Sequence, residues 1–402
     1  MKWKNRGHEF DGLGEYYKQT KIIYLYGARP AAKPLLEQIE YAIKKANQQV
    51  LDVDIKFVDR DLTKQEQLFL GKEVISPEEF REQFLKNHGI VVLCMNENST
   101  AEVSKSLETH SMQRKFHVYS VYEFYRYLSL FVYYRYQKLY LHIVDMFVST
   151  YCNLNCEHCC VRTYQGIRKR RTVPEIKANI DEMFRKIDYV GIMIFGIGEG
   201  FMGSSPLESA LEYITEKYAD RFCVIEITTN GTIVPKDSFI KVLQNRKIRV
   251  VVDDYTDHVQ LAAVNYPLVT KCLSENDVQF SGLKREYWEE YEFGNVVDDN
   301  IESLDKKLGN CICHAKGFAY IGYGDASARI YSCVHQTINA YQNIVIETED
   351  DGIDLISAAP LEIIEFLLGY TEKGYLSACT QCNGAFEGKE SNHIPVAVQI
   401  EP

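Results

Sequence analysis

The chain has 402 residues, 46% of them hydrophobic and 25% charged, with a formal net charge of −11. That length supports two or three domains with cores of their own. The acidic balance excludes a general nucleic-acid binder, which needs surplus lysine and arginine to neutralise phosphates. No run of about 18 apolar residues is present to span a membrane, and Met1 to Gly14 lacks the apolar stretch of a secretion signal. A cytoplasmic protein with no membrane span and no nucleic-acid partner is therefore expected. In that reducing compartment the 12 cysteines point to metal or redox chemistry rather than to disulfides.

Lys21 to Tyr26 reads as a short strand ending at Gly27, and Pro30 to Gln48 carries helical spacing through Leu35, Leu36, Ile39, Ala42 and Ile43. Val53 to Val58 alternates as a second strand, closed by Asp59 and Asp61 where an acid could meet a ribose hydroxyl. Ser76-Pro77-Glu78-Glu79 is a capping box with proline at the first helical position. Gly89 to Cys94 reads as a third strand, and Ser99 opens a further helix. This alternation predicts a small Rossmann-like parallel α/β domain over residues 20–110. The turn Gly27-Ala28-Arg29-Pro30 holds one glycine, so the dinucleotide fingerprint is absent and a scaffolding or docking role is favoured over nucleotide binding. Residues 111–142 form an aromatic-rich linker, with Val118 to Val144 read as a buried helix interrupted by Glu123, Arg126, Arg135 and Lys138.

A second alternating series fills residues 143–305. Met146 to Thr150 reads as the strand that feeds a cysteine loop, and Thr172-Val173-Pro174-Glu175 caps the next helix. Arg168-Lys169-Arg170-Arg171, between them, reads as a solvated basic loop. Tyr189 to Phe195 ends in Gly196-Ile197-Gly198-Glu199-Gly200, and a helix starts at Ser205. Phe222 to Ile227 runs into Thr228-Thr229-Asn230-Gly231, helix Lys236 to Arg246 follows, and Ile248 to Val252 ends at Asp253-Asp254. A fifth strand is expected to include Leu268 to Leu273. Each polar or glycine-rich cluster thus falls at the carboxyl end of a strand, where parallel α/β folds place their sites.

The run Cys152-Asn153-Leu154-Asn155-Cys156-Glu157-His158-Cys159 sets three thiols at C-x3-C-x2-C spacing. Three thiolates can hold three irons of a 4Fe-4S cube and leave the fourth iron open. The competing reading is a structural zinc site completed by Cys160 or His158. In order and spacing, the cysteine loop, the Gly196 to Glu199 element and the Thr228 to Gly231 turn resemble the radical S-adenosylmethionine (SAM) superfamily. The resemblance implies a partial (β/α)6 TIM-like barrel whose Cys152, Cys156 and Cys159 hold a 4Fe-4S cluster, with SAM on the open iron. It implies cofactor contacts from Gly196, from backbone at Gly198 and Glu199, from His158 against adenine, and from Thr229, Asn230 and Asp253. It also implies a low-potential electron donor of flavodoxin or ferredoxin type. Ile197 and Gly200 depart from the family's usual Gly-Gly-Glu-Pro.

Residues 306–402 carry Cys311, Cys313, Cys333, Cys379 and Cys382 around a hairpin signal, Gly317 to Gly322 and Ala328 to Ser332 about Gly324-Asp325, and an apolar helix, Leu361 to Tyr370. This order, closed by Cys379-Thr380-Gln381-Cys382-Asn383-Gly384, resembles the twitch form of the SPASM-like extension. It implies one auxiliary 4Fe-4S cluster on Cys313, Cys333, Cys379 and Cys382, with Cys311 and Cys313 able to exchange roles; a zinc ribbon is the alternative. The resemblance further implies hydrogen abstraction from a carbohydrate or aminocyclitol-like substrate, by oxidation or epimerisation. For an epimerisation, Cys160, Cys272 and Cys311 are the candidate hydrogen donors. Modification of a ribosomally made peptide is the second reading.

Overall fold

Five short parallel strands build the sheet of the first unit, Asn5–His142, in the order β3-β2-β1-β4-β5. They are β1 (Ile22–Tyr26), β2 (Asp54–Val58), β3 (Val74–Ile75), β4 (Gly89–Leu93) and β5 (Val118–Ser120). The helices of this unit are α1 (Asp11–Gln19), α2 (Lys33–Ala46), α3 (Leu62–Gln65), α4 (Pro77–Lys86), α5 (Glu97–Thr109) and α6 (Val121–Tyr136). The computed structural model describes residues 3–86, 89–109, 117–159, 170–196, 198–203, 206–289, 298–311, 314, 317–323, 328–334, 336–337, 351–383 and 393–400. Cys160, Arg168, Lys169, Ile197, Ser205, Cys313, Gly324, Asp325 and Gly384 lie outside the described residues.

Asp59 does not wait for a ribose. Its carboxylate accepts from Ala28 N–H at 2.9 Å, Asp61 N–H at 3.0 Å and Lys64 Nζ at 3.0 Å, so it ties the turn after β1 to the end of β2. Asp61 is spent as the cap of α3, accepting from Thr63 N–H. The aromatic helix is shorter than its composition suggests. A Ser120–Glu123 capping box starts α6, Gln137 ends it in the left-handed conformation, and the apolar run beyond is a strand.

The second unit comprises Met1–Lys4 and Ile143–Pro402. Its sheet runs β10-β9-β8-β7-β6-β12-β13-β14. The strands are β6 (Tyr140–Met146, entering from the first unit), β7 (Tyr189–Phe195), β8 (Phe222–Thr229), β9 (Ile248–Asp253), β10 (Phe280–Leu283), β12 (Phe318–Tyr323), β13 (Ala328–Tyr331) and β14 (Ile353–Asp354). A separate pair joins β11 (Trp288–Glu289) to β15 (His393–Ile394). Helices α7 (Val173–Lys186), α8 (Leu207–Lys217), α9 (Asp237–Leu243) and α10 (Gln260–Glu275) alternate with β6 to β10 in the manner of a partial (β/α) barrel, and α11 (Ile301–Asn310) and α12 (Pro360–Leu367) follow. The hairpin of β12 and β13 extends this same sheet, because β12 pairs parallel with β6 from Phe318 opposite Ile143 to Ile321 opposite Met146.

Two expected strands shift. The strand before the cysteine loop is Tyr140–Met146 rather than Met146 to Thr150. Leu268 to Leu273 belongs to α10, whose buried Ala262, Val269 and Leu273 fall on one helical face, and the fifth strand is Phe280–Leu283. Among the described residues no helix is long and apolar enough to cross a membrane.

Arg135, at the end of α6, donates Nη1 to the carbonyls of Tyr17, Lys18 and Thr20 and pairs with Asp52 at 2.8 Å. Burial alone would raise the Asp52 carboxyl, but bonds from Tyr136 and Arg135 outweigh it and hold it below its usual value. Its folded pKa lies below the unfolded one, so this stabilisation is complete above about pH 4 and fades as pH falls through the folded value. Arg135→Ala should cost roughly 2–3 kcal/mol in urea unfolding followed by far-UV circular dichroism and flatten that acid limb. An unchanged midpoint would refute the role.

Candidate active site

The cysteine loop leaves the carboxyl end of β6 and folds over an apolar cluster. Leu154 and Cys156 are buried there with Tyr255, Val259, Ala262, Val396 and Ala397, and Cys152, Cys159 and Trp288 pack against them. Burial pushes the Cys152 thiol up to about 12, with Glu199, Cys159 and Cys156 adding to the rise and the Leu154 N–H opposing it. Three thiols within electrostatic reach of one another, on one short loop, are a donor set that suits a thiolate-ligated iron cluster, whose cationic irons offset the cost of deprotonation. The residues present fit such a group.

Glu199 organises what faces the loop. It is 3% exposed. Its carboxylate accepts from Thr229 Oγ1 at 2.7 Å, Asn230 N–H at 2.8 Å and Phe201 N–H at 2.8 Å. Burial pushes its carboxyl up, the Asn230, Phe201 and Thr229 donors pull it down, and Asp253 adds to the rise. Its backbone N–H donates to the Tyr151 carbonyl at 2.8 Å, which locks the end of β7 onto the cysteine loop. Gly198 is needed for that approach: at φ +142° a Cβ would lie 2.4 Å from the Tyr151 oxygen. Gly196, also in the left-handed region at φ +90°, turns the chain out of β7.

Asn230 extends the brace. Its Nδ2 donates to Asn153 Oδ1 at 3.0 Å and lies 3.6 Å from the Cys152 sulfur. Its Oδ1 accepts from Thr232 N–H, while Asn153 Nδ2 donates to Thr232 Oγ1 at 2.8 Å. Asp253, at the end of β9, is 7% exposed, accepts from Tyr255 OH at 3.0 Å and has Arg285 Nε at 3.6 Å. Burial raises its carboxyl and Arg285 pulls it back. His158 is half-buried on the loop, with Glu157 at 3.9 Å. Gly196, Gly198, Glu199, Thr229, Asn230 and Asp253 thus gather at the strand ends around Cys152, Cys156 and Cys159.

Cys272 does not join them. It sits on α10, where burial raises its thiol and the charges acting on it are Asp237 and Glu275. Farther along, burial pushes the Cys379 thiol well above the usual range, and Cys333, Cys311 and Cys382 all act on it. Lys307 of α11 donates to the carbonyls of Cys379 at 3.1 Å and Cys382 at 2.8 Å, and pairs with Asp298 at 3.1 Å. Cys311 is the residue that caps α11. Four described cysteines are therefore drawn to one end of that helix.

Asp145, Glu226 and Arg249 escape a reading built on strand ends. Asp145 stands opposite Tyr320, Ile194 opposite Glu226, and Glu226 opposite Arg249. The Gly196 N–H to Met146 carbonyl bond sets β6 beside β7, so Asp145 falls level with Ile194. The row therefore crosses one face of the sheet, just below the loops that carry Cys152, Glu199 and Asn230. Arg249 Nε binds Glu226 at 3.1 Å. Asp145 is 6% exposed, and its Oδ1 has no hydrogen-bond partner among the described residues. Burial pushes its carboxyl up to about 8. The available sequence signal was a lone charge inside an apolar strand, as in Ile143-Val144-Asp145-Met146.

The Glu199 brace makes a direct prediction. Glu199→Gln keeps one acceptor oxygen but turns its NH2 toward the N–H of Asn230 or Phe201. It should destabilise the metal-free chain by about 1–3 kcal/mol in urea unfolding. It should also lower cluster retention after reconstitution, measured as iron per chain. Wild-type stability and iron would show the brace to be dispensable.

Comparison with known proteins addresses the same segment. The radical SAM superfamily profile matches residues 146–260. No curated protein matches the chain. Among solved structures, BtrN in complex with AdoMet and 2-DOIA is similar at 16% identity and a TM-score of 0.39, covering 65% of this chain and 96% of that one. SuiB of Streptococcus suis, bound to its precursor peptide SuiA, is similar at 15% identity and a TM-score of 0.29, covering 62% and 54%. Histidine-tagged anSMEcpe with bound AdoMet is similar at 11% identity and a TM-score of 0.38, covering 58% and 81%. This chain spans about half the length of SuiB. The profile match falls on the loop of Cys152, Cys156 and Cys159 and on the strand ends that Glu199 binds to it, so residues 146–260 are similar to the radical SAM superfamily domain.

Proposed function

We propose that the chain takes a hydrogen atom from a small polyhydroxylated substrate, of carbohydrate or aminocyclitol type, in an oxidation or epimerisation. When bound, the 4Fe-4S cluster and SAM supply a 5′-deoxyadenosyl radical after one-electron reduction by a flavodoxin- or ferredoxin-type donor. Cys152, Cys156 and Cys159 would hold the cluster. Backbone at Gly198, together with His158, Thr229, Asn230 and Asp253, would line the SAM site, while Glu199 keeps those strand ends in place.

The observation that carries the substrate class is the row Asp145, Glu226 and Arg249. A buried carboxylate oxygen without a partner costs stability unless something donates to it. A substrate hydroxyl or ammonium would do so, and Asp145 could take the hydroxyl proton as a carbinol carbon is oxidised. The Glu226–Arg249 pair offers further donors and acceptors at the same level. Such a compact set of charges inside a sheet suits a small polar ring better than an extended peptide.

The reading includes a second cluster. Cys333, Cys379 and Cys382 would hold it with Cys313 or Cys311 as the fourth thiolate; Cys333, Cys311 and Cys382 all act on Cys379 at the end of α11, which supports a shared centre there. Full thiolate ligation would suit this cluster to accept the second electron of an oxidation.

Reconstituted anaerobically, the protein should hold about eight irons per chain and cleave SAM only when reduced. The Cys152, Cys156, Cys159 triple alanine variant should keep roughly half the iron and lose all cleavage. Two bound zinc ions and no iron would overturn the reading. With a candidate sugar in deuterated water, an epimerase builds carbon-bound deuterium into product, whereas a dehydrogenase adds none. Turnover of a short precursor peptide, with no polyol accepted, would replace the substrate class.

A further inference from the structure

The last described residues, 393–400, return to the cysteine loop and pair with it. Cys156 and Gln399 form an antiparallel bridge. Glu157 N–H donates to the Val398 carbonyl at 2.8 Å, Ile400 N–H to the Asn155 carbonyl at 2.9 Å, and Asn155 Nδ2 to the Ile400 carbonyl at 2.9 Å. Val396 and Ala397 are wholly buried in the cluster that contains Leu154 and Cys156. Ala397 holds φ at +53°, a left-handed conformation that costs a non-glycine residue about 1–2 kcal/mol. That bend turns the chain from the buried pair back along the loop.

The Gln399 side chain then meets a sulfur. Its Oε1 accepts from Asn155 N–H at 2.8 Å, which fixes the amide orientation. Its Nε2 carries two hydrogens and has two acceptors: the Ala397 carbonyl at 2.7 Å and Cys156 Sγ at 3.1 Å. Cys156 is 7% exposed, so little water competes at the sulfur.

Resting on the reading that Cys156 holds an iron of the SAM-binding cluster, we propose that residues 393–400 are a built part of that site and that Gln399, through an N–H···S hydrogen bond, raises the cluster's reduction potential. A donor aimed at a ligating sulfur draws charge from it and stabilises the more negative, reduced cluster. The outer face of the loop is thus completed from the far end of the chain, about 240 residues away. Reduction is the step that gates SAM cleavage, so this side chain sets how easily an external donor can start turnover.

The test is a redox titration of the reconstituted full-length protein, followed by electron paramagnetic resonance on the signal that changes when SAM is added. Gln399→Leu removes the donor. Gln399→Glu removes it too but keeps an oxygen for the Asn155 N–H. Both should lower the reduced-to-oxidised ratio at a fixed potential by about three- to tenfold, equivalent to about 30–60 mV at 59 mV per tenfold for one electron. Unchanged potentials would overturn the proposal. So would a shift in Gln399→Leu alone, because that pattern means Gln399 merely braces Asn155. Should either variant fail to take up iron, the wild-type protein labelled with 15N-glutamine gives an independent measurement. The reduced cluster should then couple to one side-chain nitrogen, and its absence overturns the inference. A wild-type chain that takes up no iron brings down the cluster reading itself.

Discussion

The Glu199 carboxylate sits where the ends of β7 and β8 meet the cysteine loop, 3% exposed and surrounded by donors. Burying a carboxylate costs several kcal/mol. Three charge-assisted bonds, each contributing about 1.5–3 kcal/mol, can offset it. Every donor to it lies on a segment that would line the SAM site: Thr229 at the end of β8, Asn230 just after it, and Phe201 after β7. The same residue's N–H holds Tyr151, one step before Cys152. Geometry at the cluster loop, the glycine turn and the third strand end is therefore set by one group rather than by three independent loops. A parallel sheet delivers strand ends to one edge; Glu199 fixes them there.

Around that anchor the site is assembled from distant sequence. Asn153 and Asn230 knit the loop to the third strand end, and Gln399 pairs it with the last described segment. The β12 strand adds beside β6, so the stretch leading toward Cys333 extends the same sheet that ends in Cys152. Both cysteine groups thus belong to one unit of the chain. Asp145 on β6 and Tyr320 on β12 are direct neighbours in that sheet.

Much of this was legible in the residues themselves, for physical reasons. Cysteine spacing, glycines with no other use, and an acid following Gly198 mark chemistry because they are costly to keep otherwise. Strand and helix alternation gave the α/β class. What stayed hidden depended on pairing. Leu268 to Leu273 reads as a strand because it is apolar and follows a proline, yet its buried spacing is helical. The end of the aromatic stretch divides at Gln137 because only the folded chain shows the left-handed cap. Asn230 was readable as a polar site residue, but its role in holding Asn153 was not. Gln399 carries no local signal, since its meaning comes from a partner at Cys156. Asp145 was visible as a lone charge in an apolar run; its alignment with Glu226 and Arg249 required the register.

One measurement bears most directly on the claim that Cys152, Cys156 and Cys159 leave one iron open to SAM. The reduced protein is mixed with SAM labelled with 17O in the carboxylate and 15N in the amino group and examined by electron–nuclear double resonance. The account predicts strong coupling of both nuclei to one iron of the cluster. Bound SAM with neither nucleus coupled would contradict it.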